Sequence, residues 1–383
     1  MRIAHVLLGR CNPDSANGVD KTVYHLARYQ SALGGEVAVF SLTMKELIPV
    51  PGVEVRGLPP PPGTLARLWP GIPKRLAEEL LEWKPDVVHL HSVHIGPFVG
   101  LSKALKRRRI PYVVTPHGGF APGRLARMGP KIRTYVYLFE KGYLERASFV
   151  HAVSPNDAEG LRSLGVRARV VMVPNGIDLN AVPSAVNAAL LRERFPILKD
   201  KLVFLFLGRL DPIHKGLDIL LEAFAAAQLE KAVLVLVGPD WRGSLGRLQE
   251  QVRKLGLEGR VVFNGPAFGE EKWAYLAGAD VFVHPSRWEG FSLSLLEAMA
   301  MGKPVLVSRA ADPGDIGSSG AGLTIELQVD ELSRALGTFA GFSAGELECM
   351  GRNARVLVEQ RYDWRRIASQ LMELYRLENH GTC

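Results

Sequence analysis

The stretch VFVHPSRWEGFSLSLLEAMAMGKPV, residues 281–305, sets a carboxylate beside a run of backbone donors. It reads as strand, loop, helix N-terminus, helix and a Gly-Lys-Pro turn into a second strand. Phe291, Ser292, Leu293 and Ser294 fall where the helix starts. Their unpaired backbone N–H groups and the positive end of the helix dipole are available to a diphosphate. Glu289 stands next to Gly290 in a loop above a strand end, where an ionised carboxylate can accept paired sugar hydroxyls. Glu297 follows Ser294 by three positions and has two readings, a ligand carboxylate or the partner of Ser294 in a capping box.

A second constellation, GRLDPIHKGLDILLEAF, follows the strand-like VFLFL and supplies Arg209 and the pair Lys215-Gly216. An Arg fork and a Lys point charge after one strand can neutralise a departing nucleoside diphosphate without a metal; the plain alternative is surface charge. VVTPHGG sets His117 after a strand and ahead of two glycines, at a strand end that should line a cleft, although a lone histidine is more often structural. Upstream, His89, His91 and His94 suggest a metal site. Strand alternation puts His89 and His91 on one face, but no Asp or Glu stands beside them, which favours cleft lining or packing. The first loop, GRCNPDSANGVDKTVYHLA, leaves a strand and enters a helix at Asn17-Gly18, where the backbone can approach a phosphate or an acceptor. Asn17, Lys21 and His91 are the acceptor-side candidates. There is no Walker-type phosphate loop, no complete G-x-G-x-x-G after a strand and no Asp-x-Asp pair, so kinase, dehydrogenase and metal-dependent transferase readings all weaken. No resident metal or cofactor is expected.

These loops need a scaffold of parallel strands. Short apolar runs at 3–8, 37–42, 86–91, 112–115, 149–154 and 170–173 alternate with helical patterns such as 21–33, and the grammar restarts at 202–207, 232–237, 260–264, 280–284 and 304–307. Near-continuous apolar strands separated by helices imply parallel sheets covered on both faces, with ligands at the carboxyl ends of the strands. The chain of 383 residues exceeds what one core usually supports. Two Rossmann-like domains are therefore expected, 1–177 and 178–362, with a hinge near 175–178. An amphipathic helix at 363–383, apolar at Ile367, Leu371, Leu374 and Tyr375, is assigned to the first domain. Pro59–Pro62 reads as a stiff loop, and KALKRRR at 103–109 as a solvated helix end.

Charge is uneven. Residues 1–175 hold 24 Lys and Arg against 13 Asp and Glu, so a net charge of +8 divides into +11 and −3. A basic half facing an anionic acceptor or membrane surface, or a merely solvated face, would both account for it. Cys11, Cys349 and Cys383 are too few and too far apart for a disulfide framework, and the N-terminus lacks the form of a signal peptide. A cytoplasmic protein, with peripheral contact at the inner membrane face through the basic half, is the expectation.

In order and spacing these motifs resemble glycosyltransferase family 4 (GT4), the retaining, nucleotide-sugar-dependent enzymes of the GT-B fold. EGFSLSLLEAMAMGKPV looks like the signature of that family, with Glu289 and Glu297 as its paired glutamates. PNGID at 174–178, GRL with KG at 208–216, TPHG at 115–118 and YDW at 362–364 are also similar. The resemblance covers nearly the whole chain. It implies two Rossmann-like domains facing each other across a cleft, with the C-terminal helix crossing back to the first, acceptor-binding domain. The second domain would hold the donor: Asn264-Gly265 near the base, Glu297 on the ribose, Arg209 and Lys215 on the diphosphate, Glu289, Gly290 and the backbone of Phe291–Leu293 on sugar and phosphate. Gly18 would approach the donor from the first loop, and His117 would contact the transferring sugar. The implied reaction is same-face transfer of a hexose-type sugar to a sugar, lipid-linked or small-molecule acceptor, with the leaving phosphate oxygen taking the acceptor proton. Two departures stand out: the first loop has Asn17-Gly18 where the family often has two glycines, and the loose text after Val305 lacks a glutamate often seen there.

Other classes fit less well. A GT-B nucleotide-sugar epimerase would not require His117 and the glutamates in these contexts, and a noncatalytic nucleic-acid or membrane binder would need none of His117, Arg209, Lys215, Glu289 and Glu297. Nucleic acid is not an expected partner.

Overall fold

The computed structural model describes residues 1–15, 17–71 and 73–380; Cys383 and the rest of the 381–383 end of the expected terminal segment lie outside the described residues. The chain divides into two compact units, Met1–Gly176 with the segment from Trp364 onward, and Ile177–Asp363.

The first unit is a seven-stranded parallel sheet: β1 (Arg2–Leu7), β2 (Glu36–Leu42), β3 (Val53–Leu58), β4 (Val87–His91), β5 (Tyr112–Thr115), β6 (Phe149–Ala152) and β7 (Val170–Met172). Its order is β3-β2-β1-β4-β5-β6-β7. The second unit carries β8 (Leu202–Leu207), β9 (Ala232–Val237), β10 (Val261–Asn264), β11 (Val281–His284), β12 (Val305–Ser308) and β13 (Gly322–Ile325) in the order β10-β9-β8-β11-β12-β13. The strand order reverses beside the first strand of each unit, which is where a doubly wound sheet opens a crevice for ligands.

Both sheets are buried because their strands are apolar on both faces. Val203, Phe204, Leu205 and Phe206 are each fully buried, feeding a core on either side of β8. Two strands escape the sequence reading. β3 is an edge strand reading VEVRGL, half exposed and interrupted by Arg56. β13 sits inside the text after Val305 that reads as loose, where Gly322 packs so close to β12 that an added Cβ would lie 1.9 Å from the Val305 carbonyl oxygen.

The helix Trp364–His380 lies against the helix Gly18–Ala32 of the first unit. Trp364, Ile367, Leu371 and Tyr375 join the core made by Ile3, Leu7, Val87, Val113 and Phe149 on one face of the first sheet. An apolar stripe at helical spacing thus belongs to the sheet it covers.

Candidate functional site

In the second unit the loops after β8 and β11 flank the point of strand reversal, and the side chains singled out in the sequence meet there. Lys215 Nζ lies 2.6 Å from Glu289 Oε2. The same carboxylate oxygen accepts from Ser286 Oγ at 3.0 Å and lies 3.2 Å from His284 Nε2. Burial pushes the Glu289 carboxyl up, but Lys215 and the His284 hydrogen bond outweigh it and hold the group well below the usual carboxylate range. Glu289 is therefore ionised at neutral pH.

The two loops are tied together. Arg287 forks onto Asp218 with two bonds of 2.7 Å and donates to the carbonyls of Pro212 and Ile213. His214 stacks on Trp288 with ring centroids 4.8 Å apart, and its Nε2 bonds the Trp288 carbonyl. Burial holds its imidazole at about 4, so it is a neutral donor there. Gly216 has φ +67°, and a Cβ on it would lie 2.0 Å from the Pro285 carbonyl oxygen. Only glycine lets the β8 loop pass this close to the β11 loop. Arg209 takes a different support: its guanidinium lies over the Trp241 ring, 4.3 Å from the centroid.

The helix after the loop runs Leu293–Ala300 and is capped by Ser292, whose hydroxyl accepts from Leu295 N. This corrects the capping-box reading of Ser294 and Glu297. The helix starts two residues too early for Ser294 to be the cap, and Glu297 pairs instead with Lys272 at 2.8 Å. Phe291, just before the cap, rests on Tyr362. Asn264 ends β10 with its side-chain amide donating to the exposed Gly265 carbonyl.

In the first unit, Asn17 caps the helix Gly18–Ala32, accepting from Val19 N and donating to Asp20. Lys21 is half-buried in the first turn. Gly18 has open space where a Cβ would stand, so nothing nearby demands glycine. His117, after β5, sits at φ +52°, a left-handed conformation costly for histidine and kept by its surroundings. The next residue supplies one anchor: Gly118 N donates to Asp157 Oδ1 at 3.2 Å.

The histidines of β4 do something the sequence did not disclose. His91 is 1% exposed, with Nε2 2.9 Å from His5 Nδ1 and Nδ1 3.1 Å from His117 Nε2, so it reaches His117 and not solvent. His89 lies between Tyr375 OH at 2.6 Å and Thr115 Oγ1 at 2.5 Å. His94 turns away to pair with the buried Glu140 at 2.8 Å. Burial lowers His5 and His151 to about 4 and His117 to about 3, and holds His89 and His91 well below the ordinary histidine value. Among the described residues, His5, His89 and His91 form the one group of side chains close enough to share a metal ion. Each of their ring nitrogens already has a hydrogen-bond partner, which a metal would have to displace.

What sequence reasoning missed is the support around each candidate: Ser286, His284 and Asp218 in the second unit, His5, Gln30, His151, Asp157 and Tyr375 in the first. Strand alternation put His89 and His91 on one face; pairing His5 with them requires the β1–β4 register, His5 opposite His89.

Residues 16–181 match the family model described as Glycosyltransferase Family 4, and residues 201–340 match that described as Glycosyl transferases group 1. A D-inositol 3-phosphate glycosyltransferase of Actinosynnema mirum is 30% identical over 400 residues, spanning 94% of this chain and 92% of that protein. An MMP alpha-(1->4)-mannosyltransferase of Mycolicibacterium hassiacum is 32% identical over 201 residues; the match takes in 52% of this chain and only 48% of that relative. Among solved structures, sucrose-phosphate synthase from Thermosynechococcus elongatus superposes over 100% of both chains with a TM-score of 0.81 at 22% identity, a likeness of fold.

Proposed function

This chain belongs to glycosyltransferase family 4 and has the GT-B fold, and from that premise we propose that it transfers a hexose-type sugar from a nucleoside diphosphate sugar with retention of configuration. The observation that carries this reading is the ionised Glu289 locked to Lys215 beside the N-terminus of the helix Leu293–Ala300. A carboxylate and a cation that neutralise each other, next to the backbone donors of a helix start, can separate their duties on a substrate: the carboxylate takes sugar hydroxyls, the ammonium and helix end take the diphosphate.

In this assignment Arg209 and Lys215 stabilise the charge that develops on the leaving diphosphate, and no metal is needed for that task. Glu289, Gly290 and the backbone of Phe291, Ser292 and Leu293 hold sugar and phosphate. Glu297 takes the ribose, Asn264-Gly265 the base, and Gly18 the donor side of the first loop. His117 contacts the transferring sugar, while Asn17 and Lys21 stand on the acceptor side. The first unit is assigned to the acceptor and the second to the donor. The leaving phosphate oxygen takes the proton as the acceptor hydroxyl attacks the same face.

A lipid-linked acceptor at a membrane surface has separate support. Trp69 is 72% exposed and Tyr137 71% exposed, with Leu138 beside it, in the half of the chain that carries the positive charge. Among the described residues no helix is long and apolar enough to cross a membrane. Contact would be peripheral.

The test is a thermal-shift screen against nucleoside diphosphates and their sugars, because a ligand bound only by the folded state raises the melting temperature by mass action. A shift with one nucleotide and its sugar supports the proposal; no shift with any of them would overturn it.

A further inference from the structure

Two strings of buried hydrogen bonds run across the first sheet. One is Val173 O, His151, Thr115, His89, Tyr375, with contacts of 2.7, 2.7, 2.5 and 2.6 Å. The other is Gln30, His5, His91, His117, with contacts of 2.7, 2.9 and 3.1 Å. The first string ends on the Tyr375 hydroxyl and the second on the Gln30 amide, whose Nε2 is buried without a hydrogen-bond partner, so the two strings are separate. We infer that each string is directional, that the second fixes the tautomer of His117, and that Gln30, on the helix Gly18–Ala32, is a positioning residue for the sugar-contacting histidine.

The direction follows from counting protons. A carbonyl oxygen only accepts, so His151 Nε2 must carry hydrogen toward Val173. A neutral imidazole has one N–H, which leaves His151 Nδ1 bare and makes the Thr115 hydroxyl its donor. That hydroxyl has spent its one hydrogen, so it accepts from His89 Nε2. His89 Nδ1 is then bare and accepts from Tyr375. In the second string Gln30 Oε1 faces His5 Nε2 at 2.7 Å, and an amide oxygen only accepts. His5 Nε2 donates to that oxygen, His91 Nε2 donates to His5 Nδ1, and His117 Nε2 donates to His91 Nδ1. His117 Nδ1 is left as a bare acceptor.

The neutrality this requires agrees with burial, which pushes all five imidazoles down. Charging any one would break the sequence of donors, because an imidazolium donates from both nitrogens. The consequence for chemistry is definite: His117 receives a hydrogen bond from a substrate hydroxyl and does not give one. This last step rests on the proposed sugar contact; the tautomer does not, and it is tested without substrate.

Histidine isotope-labelled in the ring reports protonated and bare nitrogens by their NMR resonances, and a His117→Gln variant assigns the signal. The expected result for the unaltered protein is Nε2 protonated and Nδ1 bare. A protonated Nδ1 overturns the inference whatever the variants do. Gln30→Met removes the amide oxygen that anchors the second string while nearly keeping shape, and should convert His117 from one tautomer to a mixture, whereas Tyr375→Phe cuts only the first string and should leave His117 as it is. If Gln30→Met folds, with its melting transition intact, and still shows the single tautomer, the string does not set it. A nucleotide screen that failed beside a correct tautomer would remove the glycosyl-transfer site and leave this string standing.

Discussion

Lys215 Nζ sits 2.6 Å from Glu289 Oε2, with the two side chains only 10% and 14% exposed. A buried pair of this kind adds little stability over an apolar pair but is costly to break, since the survivor is an uncompensated buried charge. Glu289→Gln should cost about 3 to 5 kcal/mol of stability and abolish transfer, while a nucleoside diphosphate, by supplying anions to Lys215, should recover more melting temperature in this variant than in the unaltered protein. Lys215→Met should lower turnover by about 100-fold or more and lose that recovery. Equal thermal shifts by the nucleotide in both variants would separate the pair from diphosphate binding.

Gly216→Ala is a sharper probe than its size suggests. The new methyl would lie 2.0 Å from the Pro285 carbonyl oxygen at a φ of +67°. Left-handed backbone alone costs an alanine about 1 to 2 kcal/mol. The loop must also move away from Pro285, carrying Lys215 with it. Stability should fall by about 2 kcal/mol or more and donor affinity should fall in parallel. A variant that keeps its melting temperature would show that the two loops can part freely.

Acid should destabilise the protein through its buried histidines. His5, His89, His91 and His151 are buried with folded values below their unfolded value of about 6.5. The unfolded chain therefore binds protons first, and the stability they contribute is present above that pH and lost as pH falls through it toward the folded values of about 4 of His5 and His151. Each contributes about 1.4 kcal/mol per pH unit in that window. Asp157 acts in the opposite sense: burial raises its carboxyl to about 7 despite the bonds from Val153 and Gly118, so its stability is lost as pH rises. Asp20, raised to about 6, works with it. Four histidines against two carboxylates leave a net loss on acidification, and the melting temperature should drop steadily between about pH 6.5 and about pH 4.5. A flat profile there would mean that the histidines are not buried neutral.

The parts of this site that are local in sequence were legible there. Apolar strands, the helix after Gly290, the Lys215-Gly216 pair and the strand-end position of His117 follow from patterns spanning a few residues. What was not legible depends on register or on distant partners. His89 meets Tyr375 across a sequence separation of 286, and β4 alone cannot show that His5 lies alongside. The edge strand β3 is masked by its charged residues, and β13 by the glycine that its packing requires. Glu297 was ambiguous for a different reason: a cap two residues earlier decides between two readings, and helix starts are the least certain feature of a pattern.

That ambiguity yields a clean comparison. Ser292 Oγ accepts from Leu295 N, whereas Ser294 touches only the Ser292 hydroxyl. Ser292→Ala should cost about 1 kcal/mol and Ser294→Ala a few tenths. Chemical denaturation of the two variants measures both, and the reverse order would restore the capping box of Ser294 and Glu297.

The proposed membrane contact rests on the exposed apolar side chains of the basic half and not on charge alone. Tyr137, Leu138 and Phe139 lie in the turn Val136–Glu140, with Lys141 Nζ 6.0 Å from the centre of the Tyr137 ring and Lys131 and Arg133 in the preceding helix. Aromatic side chains seat at the headgroup level of a bilayer, and each nearby cation adds about 1 kcal/mol on an anionic surface. The protein should therefore float with vesicles containing an anionic lipid and stay behind with neutral ones, and binding should weaken with salt. Replacing Tyr137 and Leu138 by serine should release it from anionic vesicles while leaving nucleotide-induced thermal shifts unchanged, because both side chains are exposed and belong to the first unit. Flotation of that double variant at the unaltered level would assign the excess positive charge to solvation and remove the case for a membrane-borne acceptor.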